Sequence, residues 1–171
     1  MDVIEAITKR RSVRSFQPRD IPGNVADKLL ECAILAPSGG NRQPWFFYVV
    51  YDAPAKQRLV DAAYGQSFVA QAPLVIVVCA DPARSGARYG VRGSSLYSIQ
   101  DTAAAVQNML LAATSMGYGT CWIGAFDEHK VAEVIACPED LRPVAMVLVG
   151  YAAEEPKTPK RRGISEVAKT I

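Results

Sequence analysis

The chain has 171 residues, half of them apolar, and its 19 basic and 17 acidic side chains leave a formal charge of +2. That length suits one domain, residues 1–171, burying roughly 70% of its extended-chain surface without staples. The near balance of charge excludes a general nucleic-acid or polyanion binder, so any positive patch must be local.

Val3, Ile4 and Ile7 recur at helical spacing and predict a short first helix running into KRRSVRS, where Lys9, Arg10, Arg11 and Arg14 flank two serines. Pro18 and IPGN (21–24) end it. A second helix carries Val25, Leu29, Leu30 and Ala33 on one face and stops at Pro37. SGGNRQPW then reads as a turn-rich loop, because glycines take conformations other residues resist. FFYVVY (46–51) is aromatic and β-branched, hence a strand, and 54–63 a third helix with Pro54 in its first turn. APLVIVVCAD (72–81) holds an unbroken apolar run of strand length, expected at the centre of a sheet covered on both faces.

Residues 82–96, PARSGARYGVRGSSL, show no periodicity and read as an irregular surface loop of the kind that forms lids. Ser98 and Asp101 stand at capping-box spacing before a helix that ends at Gly117 and is apolar almost all round. GTCWIGAF (119–126) is a strand entering a glycine turn, Asp127 caps a helix over 128–136, and VAMVLVGY (144–151) is another buried strand. The tail from 152 is polar and broken by prolines, with a second basic cluster, Lys160-Arg161-Arg162. The sum is an α/β (α+β) fold: three layers, with a central mixed sheet flanked by helices, one of them a buried central helix.

Cys32, Cys79, Cys121 and Cys137 form no CxxC pair, and His129 is the only histidine, so no metal site is expected. The thiols sit among apolar residues and read as buried groups in a reducing cytoplasm. No run approaches the ~18 apolar residues of a membrane span, and residue 2 is already charged, so a cytoplasmic protein is expected. G-x-G-x-x-G and GxxxxGK[ST] are both absent, and the lone histidine leaves no catalytic triad to assemble. What remains is two basic clusters and a polar loop between core elements.

The order RRSVRSF, APSGGNRQPW, DTAAAVQNMLLAA, GYGTCWIGAF and a basic tail resembles the nitroreductase family of FMN-dependent oxidoreductases, from Ile4 to Val167. The resemblance implies a homodimer with FMN at the subunit interface. It also implies NAD(P)H as electron donor and ping-pong hydride transfer to a flat small-molecule acceptor such as a nitroaromatic or a quinone. By that match Arg10 and Ser12 hold the ribityl and ring side of FMN, while Arg14, Lys160 and Arg162 clamp its phosphate. Arg11 belongs to the same motif, but it and Arg161 alternate with these positions, and contact with cofactor or with water is left open. Pro37, Ser38, Gly39 and Asn41 reach the flavin of the other subunit. At Ile123 and Gly124 the main chain faces flavin N5; many relatives carry an acidic residue where this chain has Gly124. The tail, 152–171, contributes to the cofactor site and the dimer. Reductive dehalogenation or another specialised flavin reaction, and a non-catalytic flavin-binding module, are the alternatives. Arg84, Arg88, Tyr89 and Arg92 either grip a carboxylate or nucleotide phosphate or are simply solvated.

Overall fold

The structure, a computed structural model, describes residues 1–171. Four strands form one antiparallel sheet: β1 (Trp45–Val50), β2 (Leu74–Ala80), β3 (Gly119–Ile123) and β4 (Arg142–Gly150), in the order β1-β2-β4-β3. The mixed character expected of the sheet is confined to one parallel bridge, Ser12 to Thr120, at the outer edge of β3. β2 is central, as its apolar run predicts, and all seven of its residues are buried. Each Val or Ile side chain taken fully from water there contributes about 1.5–3 kcal/mol.

Successive side chains of a strand point to opposite faces, so the central strands feed two cores. Val75, Val77 and Cys79 pack with Leu59, Val69 and Val131 on one face. Leu74, Ile76 and Val78 pack with Leu29, Met109 and Val106 on the other. The first core lies under α3 (Ala53–Ala62), α4 (Phe68–Gln71) and α7 (Glu128–Val134). The second lies under α2 (Val25–Ile34) and α6 (Ser98–Ser115). Asp127 caps α7 as expected, accepting from the His129 and Lys130 amides.

Two further expectations change. Residues 82–96 are not an irregular loop: α5 spans Pro82–Arg92, followed by a π turn over Gly93–Tyr97 that runs into α6. Asp81 caps α5 by accepting from the Arg84 amide, and Pro82 stands in its first turn, a start signal that the lack of an apolar stripe obscured. The capping box at Ser98 and Asp101 does not form, because the chain is already helical there. The Ser98 hydroxyl donates to the Ser94 carbonyl, and Asp101 accepts from Gly39 N. The short first helix forms as expected, α1 (Val3–Lys9); only its Ala6 is buried, and Val3, Ile4 and Ile7 are 51–64% exposed. No helix is long and apolar enough to cross a membrane.

Candidate functional site

α1 ends at Arg10, whose amide donates to the Ala6 carbonyl (2.9 Å) before the backbone turns extended. The chain then runs along the edge of β3 and back beside the start of the tail. Val13 N donates to Thr120 O (2.8 Å), Gln17 N to Tyr151 O (2.9 Å) and Ala153 N to Ser15 O (2.9 Å). Val13 is buried, so the alternation of an extended strand turns its neighbours Ser12 and Arg14 the other way. The Glu154 carboxylate accepts from Arg14 N and ties the tail to this segment.

Between the two lies a cavity of about 470 Å³ lined by Arg10, Arg11, Ser12, Arg14, Glu154, Pro156, Lys157, Pro159 and Arg161. Five of these are cations and one is a carboxylate; none is hydrophobic. The chain's two ion pairs, Lys9–Glu5 and Arg142–Glu128, involve none of the five. The electrostatic reach of the cluster extends inward. Burial pushes the Cys121 thiol pKa up, and the charges of Arg14 and Arg10 pull it back.

Not every expected residue lies where the motifs suggest. Arg11 lines the cavity, but its guanidinium donates to the carbonyls of Thr8 (2.6 Å) and Arg10 (2.8 Å) and to Thr158 Oγ1 (2.8 Å). It is a strap between helix end and tail. The tail contributes Glu154, Pro156, Lys157, Pro159 and Arg161 to the lining, so that from residue 157 onward alternate positions face it, while Lys160 and Arg162 lie outside it. Arg161 and Lys157 are thus the tail cations that face the cavity, and Lys157 carries no motif signal of its own. An alternation of period two leaves the choice between odd and even positions open, so no signal in the sequence singles them out.

Pro37, Ser38, Gly39 and Asn41 are nowhere in this lining. They form a turn at the end of α2, with a short 3₁₀ segment at Gly39–Asn41. Asp101 Oδ2 accepts from Gly39 N (3.1 Å), and Ser38 Oγ accepts from Gln43 N (3.0 Å). Gly40 has φ +54°, and a Cβ there would stand 2.5 Å from the Tyr89 hydroxyl oxygen, so a larger residue strains the backbone and pushes that side chain aside. Gly124 is the opposite case: a Cβ on it meets nothing within 4 Å. The turn after β3 therefore presents open backbone, beside Trp122, which is exposed.

Asp101 is a residue that motif reasoning placed only as a cap. Burial raises its pKa, and the Gly39 amide partly offsets this. A carboxyl with a raised folded pKa destabilises the fold at neutral pH and does so less as both states protonate in acid. Asp101→Asn keeps an acceptor without the buried charge. It should match or exceed the parent's stability in neutral denaturant titrations, with the gain fading as pH falls from the raised folded-state value to the ordinary carboxylate value near ~4. Asp101→Ala leaves Gly39 N without its partner and should lose about 1–3 kcal/mol.

The cation-lined cavity fits the phosphate and ribityl end of FMN, since guanidinium forks match phosphate oxygens. None of the lining is hydrophobic, so the cavity suits the polar end of FMN rather than its ring.

A model of the nitroreductase family matches residues 7–67 and 62–151. The chain is 35% identical over 162 residues to a Methanothermobacter thermautotrophicus protein provisionally named NADH dehydrogenase/NAD(P)H nitroreductase, covering 92% of this chain and 81% of that one. The crystal structure of a nitroreductase family protein from Streptococcus pneumoniae superposes with a TM-score of 0.89 at 28% identity, covering 99% of this chain and all of that one. The NADPH:FMN oxidoreductase of Vibrio harveyi, solved with NAD+, superposes with a TM-score of 0.89 at 26% identity over 98% of this chain and 76% of its own.

Proposed function

We propose, from the premise that this chain belongs to the nitroreductase family, that it is an FMN-dependent NAD(P)H oxidoreductase acting as a homodimer. The single observation that carries the reading is the cavity with five cations and no ion-paired counter-charge beside the edge of β3. FMN, when bound, supplies two-electron transfer from NAD(P)H to a flat acceptor such as a nitroaromatic or a quinone, in ping-pong order.

The chain's own residues bind and orient. Arg10, Arg14, Lys157 and Arg161 hold the phosphate through charge-assisted hydrogen bonds, each contributing about 1.5–3 kcal/mol. Arg11 fixes the tail that carries two of them. The main chain at Ile123 and Gly124 offers its N–H groups to the ring, and Gly124 leaves room for close approach. No side-chain acid or base is required of the protein, because the reacting atoms belong to the cofactor and its substrates. His129, exposed on α7, has no part in it.

The homodimer has its own support. The uncovered apolar side of α1 needs a partner, and residues 37–41 stand apart from the cavity of their own chain. A second subunit brings Pro37, Ser38, Gly39 and Asn41 to the FMN held by the first. The whole chain is one domain in which the tail from residue 152 completes the site.

The reading is tested by denaturing purified protein and identifying the chromophore released, then following flavin bleaching by NADH and NADPH without oxygen. Release of FMN and bleaching by either nucleotide are expected. A colourless protein that takes up no FMN would contradict it.

A further inference from the structure

A second cationic cluster remains that the first cavity does not explain. α5 carries Arg84, Arg88 and Arg92, all exposed, and Arg42 lies against it just past the Gly39–Asn41 turn. Arg42 Nε donates to the Arg84 carbonyl (2.9 Å), and Arg84 Nε donates in return to the Arg42 carbonyl. Arg88 reaches the turn itself: a Cβ on Gly40 would stand 3.0 Å from Arg88 Nη1. Three guanidinium groups thus gather at one turn.

None of the three takes part in an ion pair. Two carboxylates beside α5 and the turn are already engaged. Asp81 accepts from the Arg84 amide as the cap of α5, and Asp101 is buried behind the turn on Gly39 N. Like charges gathered without a counter-charge repel, and a planar fork is the group best suited to a phosphate. Aromatic rings stand beside the cluster. Tyr89 and Tyr97 meet edge to face at 5.2 Å, with Arg88 5.5 Å from the first ring centroid and Arg92 5.4 Å from the second. Both rings are half-buried against the turn, and phosphate-binding forks next to partly open aromatic edges suit a phosphorylated nucleoside.

We infer that Arg42, Arg84 and Arg88 bind the 2′-phosphate of NADPH, so that the enzyme selects the phosphorylated donor over NADH, with Tyr89 and Tyr97 beside the adenosine. The inference rests on the reading above that residues 37–41 reach the partner's FMN, which sets this cluster at the rim where a donor enters. The turn that the arginines hold is then the turn that faces the cofactor, and donor choice and cofactor approach share one element.

The test is calorimetric titration of FMN-saturated protein with adenosine 2′,5′-bisphosphate and with 5′-AMP. The bisphosphate should bind at least tenfold more tightly. Arg84→Ala and Arg88→Ala, both at exposed positions, should each reduce that preference several-fold, and the NADPH:NADH ratio of kcat/KM should fall with it. Arg14→Ala should leave the preference intact. Equal binding of the two nucleotides, a preference that survives both α5 substitutions, or one abolished by Arg14→Ala would overturn the assignment. A protein that takes up no FMN would instead defeat the functional reading, and the titration with each nucleotide still reads the cluster.

Discussion

Arg14→Ala should weaken FMN binding at least tenfold. The side chain lines the cavity, and a lost charge-assisted hydrogen bond costs about 1.5–3 kcal/mol, where about 1.4 kcal/mol is a factor of ten. Its backbone amide still finds Glu154, so the segment keeps its path and the melting temperature without cofactor should barely move. The tail gives the sharper comparison. Arg161→Ala should match Arg14→Ala, because Arg161 shares the lining, whereas Lys160→Ala and Arg162→Ala should each change affinity less than threefold. Fluorescence titration of the apoprotein with FMN measures all four. Strong losses at Lys160 and Arg162 with none at Arg161 would restore the assignment implied by the motif resemblance and reject the parity of the tail described here.

Gly124→Val should slow flavin reduction by NAD(P)H by two orders of magnitude or more while leaving the fold intact. The substitution meets no atom of its own chain within 4 Å, and Gly124 is not in the left-handed region, so neither packing nor strain penalises it. With the ring placed at this turn as proposed above, a β-branched side chain holds it away from the main-chain donors. Misplacement of reacting groups by about 1 Å can cost 10²-fold. Single-turnover reduction in a stopped-flow instrument is the measurement, with thermal unfolding of the apoprotein as the control. Unchanged reduction would remove this turn from the ring.

How far the sequence leads depends on the kind of signal. The central strand, β2, is readable because seven consecutive apolar residues have no other place to go, and α7 because Asp127 and the helix after it follow ordinary capping chemistry. α5 is misread because it packs little against the core: its helical period is carried by Arg84, Arg88 and Arg92 rather than by an apolar stripe, and only Asp81-Pro82 announces its start. Asp101 is misread for a related reason. Its spacing from Ser98 satisfies a local rule, but a π turn continues helix across the boundary and frees the carboxylate for a loop 62 positions away. In the site, motif order finds Arg10, Ser12 and Arg14. It does not give the parity of the tail, which depends on how Pro156 and Pro159 extend the backbone beside Arg11 and Thr158. The exposed face of α1 is legible only in part: the spacing of Val3, Ile4 and Ile7 gives the helix, but not that all three side chains stay exposed in their own chain.

The central claim is that each FMN lies between two subunits, one giving the cation-lined cavity and the other the turn at residues 37–41. A mixed dimer tests it most directly. One subunit carries Arg10→Ala, Arg14→Ala and Arg161→Ala; the other carries Ser38→Ala and Asn41→Ala. Isolated through different affinity tags and titrated with FMN, this dimer should show one site of parental affinity and one that is severely impaired, because both sets of damage fall on the same site. Two equivalent, weakened sites, or a flavin-loaded monomer in light scattering, would contradict the shared site.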